Sequence, residues 1–136
     1  MTIEYLEHIN IHTDKMDGLI EYYQDVLGMY HGERPNFGRD GAWLFVGDIP
    51  VVHLVKRDKL ETCNEPRIEH YAMRCKGLAD TIKTLRATKN AYWANYIPET
   101  HVVQVHTHDP DGNHIELAFP GEERSDDINL DAYDGK

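Results

Sequence analysis

The chain has 136 residues, enough for one compact domain with a core of its own. Fourteen basic residues against twenty-four acidic ones give a net charge of −10, which argues against nucleic acid or an anionic membrane surface as partners, because both call for clustered Lys and Arg. Cys63 and Cys75 are too few for a disulfide scaffold and form no CxxC pair, so they read as reduced thiols.

Residues Glu7 to His12 alternate and predict a strand, with His8, Asn10 and His12 on one face. Asp14 is the expected N-cap of a helix on which Met16, Leu19, Ile20, Tyr23, Val26 and Leu27 recur at helical spacing until Gly28. Strands are expected near 29–34, at 42–46 and at 51–56, the last two joined by a turn at Gly47-Asp48-Ile49-Pro50. The charged stretch from Lys56 to Pro66 is the expected connection. A second β-α-β-β-β run follows: a strand over 67–75, a helix holding Leu78, Ile82 and Leu85, then strands near 92–96, 102–108 and 114–119. Asp109-Pro110-Asp111-Gly112-Asn113 reads as a tight hairpin turn. The acidic residues 121–136 carry few large apolar groups and are expected to form a mobile or loosely docked tail.

The two runs repeat one another. Leu6-Glu7-His8-Ile9 returns as Ile68-Glu69-His70-Tyr71, and Val51-Val52-His53-Leu54-Val55 returns as His114-Ile115-Glu116-Leu117-Ala118, each about sixty residues on, as in duplicated structural units. His8, His53, His70 and Glu116 therefore stand at matching places in the first and last strands of the two modules. Gln104, His106 and His108 share one side of their strand, opposite Val103, Val105 and Thr107. The second module so presents a polar face with imidazoles and a carboxylate, while Tyr71, Met73, Val103, Val105, Ile115 and Leu117 make an apolar face for helices to cover. Nine histidines in so short a chain exceed what packing or solubility asks for.

With its paired β-α-β-β-β modules, its Glu-His-Ile-Asn-Ile opening, its central Glu-His-Tyr-Ala and its closing Asp-Pro-Asp-Gly-Asn-His-Ile-Glu-Leu, the chain resembles the vicinal oxygen chelate superfamily. That group holds glyoxalase I, extradiol dioxygenases, and bleomycin and fosfomycin resistance proteins. The resemblance implies an α+β fold: two βαβββ modules, residues 5–56 and 67–120, forming a cup-shaped mixed sheet with helices outside, in one domain over residues 1–120. It implies one divalent metal ion (Fe, Ni, Zn, Co or Mn) held by His8, His53, His70 and Glu116, a donor set of imidazole and carboxylate that suits those ions. Glu116, His53 and His106 are the expected catalytic groups, with His53 either a ligand or an acid–base group beside the ion.

The function implied is a metal-dependent isomerase or lyase of glyoxalase type, acting on a small substrate that chelates the metal through adjacent oxygens. An Fe(II) ring-cleaving dioxygenase and a non-catalytic resistance-type binding protein are the alternatives. His12 and Asn10 are expected to line the pocket. His31, His101 and His114 read as surface or structural residues, and Trp43 and Trp93 as core packing, with an aromatic wall of the pocket as the alternative. Arg34, Arg39 and Arg74 are scattered, with no basic cluster arranged for a phosphonate. The N-terminus shows no secretory signal and no apolar run nears about twenty residues, so a cytoplasmic protein is the expectation. The resemblance and the shortness of the chain imply a homodimer.

Overall fold

The computed structural model describes Met1, residues 5–60 and residues 68–136. The chain divides into two compact units, Met1–Thr62 and Cys63–Lys136. Among the described residues no helix is long and apolar enough to cross a membrane.

In the first unit, β1 (Ile9–Thr13) leads into α1 (Met16–Glu21), then β2 (Tyr30–Gly32), β3 (Gly41–Val46) and β4 (Ile49–Lys56). The sheet order is β1-β4-β3-β2, with β1 parallel to β4 and the other neighbours antiparallel. Alternation places Ala42, Leu44, Val52 and Leu54 on the buried face, where they meet Leu19, Tyr22, Tyr23 and Met29. Each fully buried Leu of this set contributes roughly 1.5–3 kcal/mol of apolar burial.

The helix departs from expectation in two ways. Asp14 is not its cap: Lys15 holds the N-cap position, and the Thr13 hydroxyl accepts the Lys15 N–H at 2.9 Å instead. After Glu21 the backbone widens into a π-helical turn over Tyr22–Val26, with the Leu27 N–H donating to the Tyr22 carbonyl at 3.3 Å. That wider turn lets consecutive Tyr22 and Tyr23 both be buried. Gly28, at φ 68°, ends the helix as expected. The β3–β4 turn is shorter than the sequence suggested: Ile49 and Pro50 already belong to β4, and a register shift at Leu44/Phe45 absorbs the proline opposite Phe45.

The second unit repeats the order with β5 (His70–Arg74), α2 (Leu78–Ala87), β6 (Tyr92–Ile97), β7 (Val102–His108) and β8 (His114–Pro120), the strands arranged β5-β8-β7-β6. β5 runs parallel to β8. Leu78, Ile82 and Leu85 on α2 are buried, as are Val103, Val105, Ile115, Leu117 and Phe119 on the strands. The fold class is thus α+β, built from two βαβββ modules. Of the connection, residues 61–67 and with them Cys63 lie outside the described residues.

Residues after Pro120 lie against this second unit. The Glu123 carboxylate accepts the Gly77 and Leu78 N–H groups at 2.7 and 2.6 Å, at the start of α2. Tyr133 forms an antiparallel bridge to Tyr92, and the Arg86 guanidinium stacks over both rings. The Tyr92 hydroxyl donates to the Asn129 carbonyl at 3.2 Å.

Candidate metal and substrate site

Strand register explains why each module gathers its polar groups. In the first, β4 lies between β1 and β3, so His53 is flanked by Asn10 on one side and Trp43 on the other. In the second, β8 lies between β5 and β7, so Glu116 is flanked by Ala72 and His106. His53 and Glu116 are therefore equivalent positions, and so are Trp43 and His106.

His8 stands just before β1, and its ring stacks on His53 with centroids 3.9 Å apart. Trp43 stacks on the other face of His53 at 4.4 Å. The sandwich buries His53 Nε2, which has no hydrogen-bond partner among the described residues. A hydrogen bond to the Pro50 carbonyl involves the same ring. Because a carbonyl can only accept, that bond puts the proton on Nδ1 and the lone pair on Nε2. Burial, and then the neighbouring His8, hold the His53 pKa below the ordinary imidazole value, so the ring is neutral at neutral pH. A neutral imidazole with a backbone-fixed tautomer and an unpartnered inner nitrogen is what a metal ligand requires.

In the second module, His70 Nε2 lies 3.5 Å from Glu116 Oε2. Glu116 is only 9 % exposed, and the Gln104 amide donates to its other oxygen at 2.9 Å. His106 is buried and stacks on Trp93. Glu69 was not among the expected site residues, yet it organises this side. It is hydrogen-bonded to His70 Nδ1, and its other oxygen lies 2.7 Å from His114 Nδ1. Since a carboxylate accepts, His114 Nδ1 carries the proton, and its Nε2 accepts from His106 Nδ1 at 3.0 Å. The chain Glu69–His114–His106 leaves Nε2 as the acceptor nitrogen of His106. Burial lowers the His106 pKa, with the Glu116 carboxylate opposing and His114 and His70 reinforcing the shift. The two histidine hydrogen bonds lower that of Glu69.

Glu69, His70 and His114 also offer ligand atoms that all lie within 4.8 Å of one another. Two arrangements on His70 are thus available to an ion: Nε2 with Glu116, or the Nδ1 side with Glu69 and His114. The repeat favours the first. Glu7 stands before His8 as Glu69 stands before His70, and Glu7 Oε1 lies 3.1 Å from His8 Nδ1. In both copies the glutamate meets Nδ1 and leaves Nε2 available, the carboxylate–histidine pattern that orients metal-binding imidazoles. This repeated Glu-His pair was the sequence signal for Glu69.

Three further expectations change. His114 is neither surface nor merely structural, because it links Glu69 to His106. Trp43 and Trp93 are not core residues: Trp43 is half-buried against His53 and Trp93 is 37 % exposed, since both project from the polar sheet faces. Arg34 and Arg39 are not scattered. The loop after β2 turns back so that Arg34 donates to the Arg39 carbonyl at 3.0 Å, and both line a cavity of about 370 Å³ with Asn10, His12, Trp43 and His53. Arg74, His31 and His101 are exposed.

No protein-family profile matches the sequence. The chain is 31 % identical over 120 residues to Glyoxylase I 4 of Arabidopsis thaliana, covering 82 % of this chain and 68 % of that protein. The chain belongs to the glyoxalase group of the vicinal oxygen chelate superfamily. Solved structures carry the same fold for this vicinal oxygen chelate protein. A glyoxylase/bleomycin resistance protein/dioxygenase domain from Frankia sp. matches with a TM-score of 0.73 at 14 % identity, over 90 % of this chain and 96 % of that one. A glyoxalase-family protein from Bacillus anthracis matches at 0.72 and 18 %, over 88 % and 98 %. The fosfomycin resistance protein FosX from Listeria monocytogenes matches at 0.68 and 12 %, over 87 % and 94 %.

Proposed function

We propose that this protein is a metal-dependent isomerase or lyase of glyoxalase type, with His8, His53, His70 and Glu116 holding one divalent ion. Residues 1–120 form its catalytic domain, and it works as a cytoplasmic homodimer on a small substrate bearing adjacent oxygens. The observation that carries this reading is His53 Nε2, a buried lone pair with no partner among the described residues, on a ring kept neutral and fixed in tautomer. Leaving such a nitrogen empty costs about 1–3 kcal/mol of desolvation, which an ion would offset. The donor set of three imidazoles and one carboxylate fits Fe, Ni, Zn, Co or Mn.

The bound ion would supply Lewis-acid polarisation of the substrate's oxygens. Glu116 then acts as the base that moves a proton from carbon, one of its oxygens being tethered by Gln104 and the other turned toward His70. His106 serves as the acid–base partner, because its proton-bearing Nδ1 is engaged by His114 and its Nε2 can accept. His53 stays neutral, its pKa lowered by burial.

The test is metal content of protein purified without chelator, followed by anaerobic reconstitution with Fe(II), Ni(II), Zn(II) and Mn(II). One ion per chain, lost in His70→Ala and in Glu116→Ala, with isomerisation of 2-oxoaldehyde thiol adducts, is the expected result. A wild-type protein that keeps none of the four ions refutes it and favours simple sequestration. Oxygen uptake with catechols under Fe(II) assigns the chain to ring cleavage instead, a reading favoured only by the closeness of His70 and Glu116.

A further inference from the structure

The cavity of about 370 Å³ on the first module is lined by Arg34 and Arg39, by the aromatic rings of Phe37 and Trp43, and by Asn10, His12 and His53. Its size is at the small end of ligand pockets. No carboxylate lines it, in a chain where acids outnumber bases by twenty-four to fourteen. Among the described residues neither Arg34 nor Arg39 forms an ion pair. Both also border a second cavity, of about 690 Å³, that is lined by Asp14, Asp17 and Asp40, whereas the smaller one has no acid in its lining.

Arg34 is also fixed in place. Its Nη1 donates to the Arg39 carbonyl at 3.0 Å, and its Cζ lies 4.9 Å from the Phe37 ring centroid, within cation–π range. It rests on Gly41, where an added Cβ would come within 3.0 Å of Cζ. A third guanidinium stands near: Arg57 Nη2 is 3.3 Å from His12 Nε2, and His12 lines the same cavity. A planar fork held by a backbone carbonyl and an aromatic face keeps several donors for a ligand, the geometry suited to carboxylate or phosphate oxygens.

We infer that this cavity is an anion subsite, in which Arg34 and Arg39 take a carboxylate or phosphate group of the substrate while Trp43 and Phe37 flank its apolar body. The substrate is then a small anionic molecule. Its charged end sits among the arginines and its oxygenated end is directed to His53, which borders the cavity. This rests on the metal-dependent reading for the role of the second end, but the anion subsite itself needs no metal.

The test uses metal-free full-length protein labelled with ¹⁵N, titrated with phenylacetate, phenylphosphonate and the neutral isostere phenylacetamide, following the indole N–H signals of Trp43 and Trp93. Both anions should shift the Trp43 signal at millimolar concentration, with phenylacetamide at least about tenfold weaker, as expected when a charge-assisted hydrogen bond is lost. Which anion binds more tightly identifies the headgroup. Arg39→Gln, a change at an exposed side chain, should weaken both by about tenfold, and Arg34→Lys, which keeps the charge but loses the fork, should weaken both by less than Arg34→Gln. His70→Ala and Glu116→Ala should abolish metal retention and leave the anion affinity intact, so the two readings fail separately. Equal binding of amide and anions, or unchanged affinity in the folded Arg39→Gln protein, overturns the inference.

Discussion

Glu123 should be worth more to the protein than its place in an acidic tail suggests. Helix α2 begins at Gly77, which sits at φ 86° and has no side chain to cap the first turn. The first four N–H groups of a helix lack intrahelical partners, and Glu123 takes the Gly77 and Leu78 donors from forty-odd residues away. A cap residue is worth about 1 kcal/mol, and a carboxylate at the positive end of a helix adds about 0.3–1 kcal/mol. Because the two effects share the same hydrogen bonds, Glu123→Ala should cost about 1.5 kcal/mol. For a chain of this size unfolding in one step, that lowers Tm by about 5 °C. Glu123→Gln keeps a neutral acceptor and should lose roughly half as much. Glu122→Gln, beside it and paired with the exposed His101 at 3.4 Å, is the control and should change little. Melting curves followed by far-ultraviolet circular dichroism decide the matter. A Glu123→Ala protein that melts with the wild type, or a control that loses as much, would refute the capping argument.

Three further outcomes are expected. Gln104→Leu removes the donor that orients Glu116 and should weaken metal binding by about 10–100-fold in competition titrations with a chromogenic chelator, whereas an unchanged affinity would show that Glu116 needs no such support. Glu69→Gln should weaken metal retention by a similar factor, because the amide keeps one acceptor oxygen where the carboxylate has two, so His70 and His114 can no longer both be held; equilibrium dialysis at neutral pH reads the change, and unaltered retention counts against an orienting role. Burial, reinforced by the Glu123 carboxylate, raises the Cys75 thiol pKa above its ordinary value. The folded thiol therefore holds its proton more tightly than the unfolded one, so its contribution to stability is present below the unfolded thiol's pKa and is lost as pH rises through the folded value. Iodoacetamide should accordingly alkylate Cys75 with a pH midpoint above that of free cysteine, and a midpoint at or below it would exclude the raised pKa.

Much of the fold was legible because its strands are strictly two-faced. Val103, Val105, Ile115 and Leu117 alternate with Gln104, His106 and Glu116, and a half-buried strand can satisfy that pattern in only one orientation. The internal repeat then marked His53 and Glu116 as equivalents, which the strand register bears out. Less legible was whatever depends on backbone detail. The spacing of Met16 through Leu27 fits an ordinary helix and does not record the extra residue of the π-turn at Tyr22–Val26. Arg34 and Arg39 look unrelated in sequence because a returning loop, with no periodicity of its own, brings them to one cavity. The tail looked loose by composition, yet one carboxylate and two tyrosine rings suffice to seat it on the second module. Glu69 was visible in the repeated Glu-His pair, but its effect on three histidines arises only when β5, β7 and β8 lie side by side.

The hairpin at the end of the second module carries one more implication. Asp109 Oδ1 accepts the N–H groups of Asp111 and Asn113 at 3.0 and 2.9 Å, and its Oδ2 takes the Asn113 amide at 2.8 Å. This knot counts out the residues between β7 and β8 before any distant contact is needed. A slip of one residue there would turn Glu116 inward among the valines and bring Ile115 or Leu117 to the polar face. None of His8, His53, His70 and Glu116 belongs to the loop, yet it decides which side of the sheet the carboxylate occupies. Insertions or deletions within it should therefore remove the carboxylate from the polar face in protein that is still folded, and redesign of that face should begin with the turn left untouched.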